Sequence, residues 1–228
     1  MRIEREILIS ILKLTREGPA NIELIAKNSR IPSSVIEEYI EKFLSLNLVE
    51  RKGTLVKVDP LQRLKIAIKA TSLGADIEKV CRNLSWKEFE DVAVIAFQTY
   101  GYSTIKHFRF RHENKFWEID VLAVKGRIAA CVDCKRWMKR LTASTMSRMV
   151  KAQIERVKAL SKILPRARET LVFPAEGRIL LLPVILSLVP ASSKFYNGVP
   201  IVPILQLQNF LDELPAYVHL MNYVEVEL

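Results

Sequence analysis

Apolar positions at helical spacing open the chain. Ile3, Ile7, Leu8, Ile11 and Leu12 fall on one face of a first helix. Asn21 then stands as N-cap of a second helix that begins Ile22-Glu23-Leu24-Ile25. After the break at Ile31-Pro32, a third helix carries Val35, Ile36, Tyr39, Ile40, Phe43 and Leu44 as its buried stripe, and residues 48–58 read as a small hairpin. Residues 59–84 form a helical connector. It has an amphipathic helix over residues 62–69, an end at Gly74, and a further helix marked by Ile77, Val80, Cys81 and Leu84. Ser85 caps the next helix with Glu88 at the capping-box position. Glu90, Val94 and Phe97 share one face of that helix.

From there the period changes from helical to two. Residues 116–122 and 128–135 are rich in Val, Ile, Ala and aromatics, and Lys125-Gly126-Arg127 lies between them. With Gly126-Arg127 as a two-residue loop of type II′, Lys125 faces Ile128. Counting outward then sets Asp120 opposite Asp133 and Glu118 opposite Lys135, all four on one face, with Ile119, Val121, Ala123, Ala130 and Val132 as the apolar opposite face. Upstream, Phe108 and Phe110 alternate with basic residues and are read as core. Residues 179–182, 184–189 and 201–204 read as buried strands. Strands of this kind separated by helices predict a central mixed sheet flanked by helices, an α/β (α+β) fold.

Two like charges directly opposite each other weaken a sheet, but a divalent cation calls for that pair. Hard cations such as Mg2+ take one or two carboxylates, keep several waters and bind substrate phosphates at the remaining positions. Lys135, two residues beyond the second acid, is placed to orient the attacking water or to neutralise developing charge. The competing reading is an ordinary hairpin with a Glu118–Lys135 ion pair and solvated aspartates.

Charge changes the picture in a second way. The net charge is +10, which suggests a polyanionic partner. Lys135, Arg136, Lys139, Arg140, Arg148, Lys151, Arg156, Lys158, Lys162, Arg166 and Arg168 occupy a segment whose only acid is Glu155. Such a run is a solvated helical face or a phosphate-tracking channel beside the carboxylates. Lys106, Arg109 and Arg111 form a second basic edge leading into the Asp120 strand.

The longest apolar run, 179–190, is too short to span a membrane and contains Pro183. Charged residues at Arg2, Glu4, Arg5 and Glu6 stand where a signal peptide needs an apolar core. An intracellular, cytoplasmic and nucleoid-associated protein is expected. Cys131 and Cys134 have the spacing of a redox or zinc pair, but on a strand they point to opposite faces. With Cys81, His107, His112 and His219 making no second half, they are read as buried small hydrophobes.

The order of acidic helix, strand ending in Asp120, turn, Asp133-Cys134-Lys135 and basic helix resembles the restriction-endonuclease-like, or PD-(D/E)XK, nuclease superfamily. The segment from Ser85 through Phe89-Glu90 to Tyr100-Gly101-Tyr102 is similar to the first helix of its Mrr-like and archaeal Holliday-junction-resolvase-like branches. Residues 198–204 and 209–214 look like the late strand and helix of such domains. The resemblance implies a domain over residues 85–228, with Asp120 and Asp133 ligating Mg2+ or Mn2+. The Cys134 backbone carbonyl is implied as a third ligand, Glu90 as a ligand or water-orienting group, and Lys135 as the catalytic lysine. Arg109, Arg111, Arg136, Lys139, Arg140, Arg148 and Lys151 are the expected nucleic-acid contacts. No proline precedes Asp120, the second acid is Asp rather than the commoner Glu, and Val157 follows Gln153 where some branches carry Tyr. The last departure points away from a RecB-type exonuclease.

Residues 1–58, three helices and a hairpin, look like a winged helix-turn-helix, a family that sets its third helix in the DNA major groove. Glu37, Glu38 and Glu41 on that helix repel phosphates, so docking to a protein stands equally beside docking to DNA. The sequence thus predicts a metal-dependent deoxyribonuclease acting in repair, recombination or restriction, as a homodimer. The alternative is a non-catalytic DNA-binding regulator built on a nuclease-like scaffold.

Overall fold

The computed structural model describes residues 2–76, 79–80, 82–135, 142–167, 177–188 and 190–228. By compactness the chain divides into Met1–Val92 and Ala93–Leu228.

In the first unit, α1 (Arg2–Leu14) buries Ile7, Leu8, Ile11 and Leu12 as its spacing predicts, whereas Ile3, in the first turn, is exposed. The short strand β1 (Ala20–Asn21) leads into α2 (Ile22–Ser29), where the Asn21 side chain accepts from the Glu23 N–H at 2.9 Å. Helix α3 (Ser33–Ser45) buries Ile36, Ile40 and Phe43. Val35, Tyr39 and Leu44 of the expected stripe are half-buried. Strands β2 (Glu50–Lys52) and β3 (Leu55–Lys57) pair antiparallel, and β1 adds to β3 to give the order β1-β3-β2.

Asp59 caps α4 (Pro60–Ser72) through a reciprocal box with Gln62. This helix carries Arg63, which is 2% exposed. It forms an ion pair with Glu88 and donates to the Thr15 hydroxyl at 2.8 Å and the Asn83 carbonyl at 2.6 Å. Burial draws the pKa of this guanidinium down from its usual value, and Glu88 works against that shift. The predicted Ser85–Glu88 capping box is present: Ser85 N–H donates to Glu88 at 2.6 Å, and Glu88 N–H to Ser85 Oγ at 3.2 Å.

Glu4 of α1 is also buried. Burial alone would raise its pKa, but the Lys42 ammonium at 3.0 Å and the Lys69 ammonium at 3.5 Å more than offset that and hold it below the usual carboxylate range. A depressed folded pKa contributes stability above the unfolded value of about 4.3, and that contribution is lost as pH falls through the folded pKa. Glu4→Gln should therefore be less stable than wild type at pH 7 and converge with it on acidification. Urea unfolding at pH 7 and pH 3 measures the difference, and an unchanged gap at both would contradict the assignment.

The second unit is built on a mixed seven-stranded sheet, order β4-β5-β6-β7-β9-β8, with β10 also paired to β7. Helix α5 (Trp86–Thr99) precedes it and contains the division between the units. Strands β4 (Ser103–His112), β5 (Lys115–Lys125) and β6 (Ile128–Lys135) form an antiparallel meander. Helix α6 (Ala143–Ala167) then crosses to β7 (Arg178–Ser187), which runs parallel to β6. Strand β8 (Phe195–Tyr196), β9 (Val199–Pro203), α7 (Leu207–Tyr217) and β10 (Val224–Glu227) complete the unit. The predicted mixed sheet with helices is thus present, consistent with a restriction-endonuclease-like fold.

One face of the sheet is closed by α6. Val157, Leu160 and Leu164 pack with Phe110, Ile119, Leu122, Val124, Ala129, Cys131, Ile179 and Leu181. Phe108 packs against the same core, so both alternating phenylalanines are core residues as expected. Strand β7 runs as one element through Pro183, although proline removes a ladder donor. Leu180 N–H donates to Arg127 of the β6 side at 2.7 Å, so by alternation residue 183 presents its nitrogen to the other edge. On that edge β10 pairs only with residues 178–181 and β9 only with 185–187. Pro183 sits in the gap, where no ladder bond is lost.

Candidate active site

The β5–β6 turn has Gly126 at φ +55° and pairs Lys125 with Ile128, as the sequence predicts. The ladder continues to Val121 opposite Val132 and stops there. One step further, where Asp120 and Asp133 would face each other, the regular pairing ends. The Asp120 carboxylate instead accepts the Cys134 N–H at 2.7 Å. On its other side, β4 pairs at Lys106–Val121 and again at Phe108–Ile119, skipping the row between. That row holds His107, at φ +52°, a left-handed conformation that costs a non-glycine residue energy and recurs at functional sites. Both ladders that flank Asp120 are therefore interrupted at Asp120 itself.

The interruption corrects two expectations. Ile119, Leu122 and Val124 all face the α6 core, so side-chain alternation changes phase between residues 119 and 122. Ile119 does not share a face with Val121, Ala123, Ala130 and Val132, which are buried outside that core. Glu118 likewise does not pair with Lys135. It accepts from Arg109 at 2.7 Å, its partner across the β4–β5 ladder, and lies 3.0 Å from the His107 ring nitrogen. The Arg109 hydrogen bond, aided by His107, holds the Glu118 carboxyl below its usual range.

Asp133, only 4% exposed, meets two cations. Lys135 Nζ lies 3.0 Å from its carboxylate, and Arg156 Nη1 donates to Oδ1 at 3.1 Å. Arg156 also bonds Gln153 Oε1, and Gln153 Nε2 donates to the Cys131 carbonyl at 2.6 Å. Helix α6 is thus pinned to β6 by two side chains one helical turn apart, at i and i+3. Gln153 was visible in the sequence as a polar residue after the motif, whereas Arg156 was counted only among the bases of the run. The phase of α6, set by Val157 and Leu160 turning into the core, is what brings Arg156 inward. Val157, standing where some branches carry Tyr, is a fully buried packing residue.

Cys131 is buried among apolar neighbours, which push its thiol pKa far up, and it is a free cysteine; Cys134 is also buried on β6. The Cys131 thiol therefore lacks the character of a nucleophile or metal ligand. Glu90 lies on α5 within the unit Met1–Val92 and is buried, 4% exposed. Arg109, Arg111, Arg148 and Lys151, the expected nucleic-acid contacts, are exposed. Arg136, Lys139 and Arg140 lie outside the described residues.

Among the described residues there is no group of three or more His, Cys, Asp or Glu side chains that could hold a metal ion. The donor set at the interrupted row is smaller but chemically apt. Two carboxylates on neighbouring strands, beside the Cys134 peptide, match a cation that keeps several waters. In the first unit, Arg51 donates to Glu37 at 2.6 Å and to Glu41 at 2.9 Å. These carboxylates, Glu37 foremost, raise the pKa of Arg51, and the acidic face of α3 is tied to the hairpin's own base. No described helix is long and apolar enough to cross a membrane.

Residues 81–164 match the model of a family described as restriction endonuclease. The match takes in Glu90, Asp120, Asp133, Lys135, Gln153 and Arg156. An uncharacterized protein of Archaeoglobus fulgidus is 29% identical over 135 residues, 59% of this chain and 95% of its own length. No solved structure matches significantly. The family match supports a nuclease domain over the segment that carries the paired aspartates.

Proposed function

We propose that this chain is a metal-dependent DNA endonuclease that hydrolyses backbone phosphodiesters in repair, recombination or restriction. The observation that carries the reading is the row at which both ladders are interrupted, where Asp120 and Asp133 stand on adjacent strands with Lys135 on the second carboxylate. Asp120, Asp133 and the Cys134 carbonyl would hold Mg2+ or Mn2+, with Glu90 as a further ligand or water-orienting group. Bound there, the cation lowers the pKa of water and stabilises charge on a phosphoryl oxygen.

The chain's own residues do the rest. Arg156 and Gln153 fix the Asp133 carboxylate from the helix side. Lys135, its side chain 32% exposed, would turn from Asp133 toward the phosphate and neutralise its charge. The exposed bases Arg109, Arg111, Arg148 and Lys151 hold the DNA backbone by charge, and Arg136, Lys139 and Arg140 extend that track. Residues 1–58 act as a winged helix, 59–84 as a connector and 85–228 as the nuclease domain. Two chains, one per strand, would cut a duplex.

Cleavage of a labelled panel (duplex, four-way junction, flap, single strand, RNA) with Mg2+, Mn2+ or EDTA tests the reading. Metal-dependent cutting is expected from wild type and its loss from Lys135→Ala. Cutting that persists in EDTA would refute it.

A second reading has its own support. Asp133 already meets two cations, Lys135 and Arg156, as a carboxylate in a purely structural network would. On that reading the chain binds DNA without cutting it, equally with and without metal. For residues 1–58, the use of Arg51 on Glu37 and Glu41 favours protein docking over DNA docking, since that base is not offered to phosphates.

A further inference from the structure

The most exposed large apolar side chain among the described residues is Phe116, at 79%. It lies near the tip of the β4–β5 arm, directly opposite Arg111 across the ladder, whose guanidinium is 5.6 Å from its ring centroid. Its sequence neighbour Trp117 turns inward to the core with Lys115 stacked over its ring at 3.7 Å, so Trp117 is not offered to a partner. The outward face of the arm thus presents Phe116, Arg111 and, two pairs further along, Arg109 with Glu118.

We infer that this face is a stacking platform for an unpaired DNA base, with Arg111, which donates to Asn114 and to no carboxylate among the described residues, on the adjoining phosphate. An exposed aromatic among bases is the combination by which single strands are held, because every base has a stacking face and every link a phosphate. Along β5, Phe116 is four residues from Asp120, about 13 Å at strand spacing, so a strand held on the arm runs toward the interrupted row. Charge argues against a second copy as the occupant. β4 is the terminal strand of the sheet and holds Lys106, Arg109 and Arg111 with no acidic residue, so pairing two such edges would oppose like charges. The inference rests on the nuclease reading for its choice of DNA. It narrows the substrate to DNA with an unpaired segment, such as a flap, a junction or a single strand.

The test is binding in EDTA, with the full chain, of oligonucleotides carrying 2-aminopurine in a single strand, in a flap or inside a blunt duplex. Wild type should bind the first two more tightly than the blunt duplex and quench their fluorescence. Phe116→Ala should weaken those two by about 10-fold and leave the blunt duplex unchanged, while Phe116→Trp keeps wild-type binding. The side chain is exposed, so folding is not at stake, and circular dichroism checks that. The inference is overturned if Phe116→Ala binds the single strand as wild type does. It is also overturned if wild type prefers the blunt duplex, or if the variant's effect is to dissociate a dimer in sedimentation. Because the assay contains no free metal, it reads the platform alone; a protein that passes it and never cuts the panel with Mg2+ or Mn2+ would refute the nuclease reading and leave the platform standing.

Discussion

Asp133→Asn is expected to lower metal-dependent DNA cleavage by about 1,000-fold or more, roughly 4 kcal/mol of transition-state stabilisation. The substitution keeps the shape of the side chain and removes its charge. It withdraws one of the two carboxylates on neighbouring strands and leaves Lys135 and Arg156 facing a neutral amide. Single-turnover cleavage with saturating Mg2+ measures the loss, and a melting curve separates it from unfolding. Both cations are partly exposed, so solvent takes up much of the lost pairing and the fold should persist. An Asp133→Asn variant that cuts at the wild-type rate would remove Asp133 from the chemistry and favour the structural network.

The second large effect concerns stability. Arg63→Met should destabilise the unit Met1–Val92 by about 3–5 kcal/mol, because it strands Glu88 without its buried partner and leaves Thr15 and Asn83 short of a donor. Replacing both partners by apolar residues is often neutral, so Arg63→Met with Glu88→Leu should recover much of the loss, up to what the Ser85 cap contributes. Denaturant unfolding of the three variants forms a cycle whose coupling energy reports the pair. Additive effects would mean that Arg63 and Glu88 act independently.

The two units differ in how far their structure was legible. The Asn21 cap, the Ser85–Glu88 box and most of the α1 and α3 faces are local features, written in spacing and short-range chemistry, and they appear; Ile3 of α1 does not follow its face. The β5–β6 register was also legible, since a glycine-led two-residue turn and strict alternation leave little freedom. The outer end of that hairpin was not. A left-handed His107 carries no glycine signal, and the change in the phase of alternation between residues 119 and 122 spans the row it occupies. Arg156 was hidden for a different reason. A run of bases does not say which one turns inward until the packing of Val157, Leu160 and Leu164 fixes the rotation of α6. Strand β7 shows the converse, because Pro183 reads as a break while the tertiary gap between β9 and β10 lets the strand pass through it.

The pinning of α6 to β6 carries a mechanical consequence. Arg148, Lys151, Lys158 and Lys162 are exposed on the same helix whose Gln153 grips the Cys131 carbonyl and whose Arg156 grips Asp133. A polyanion that pulls on those bases therefore loads a lever whose short arm ends at the carboxylate. Substrate engagement and the aim of Asp133 are not separate adjustments in such a body, because turning the helix turns both.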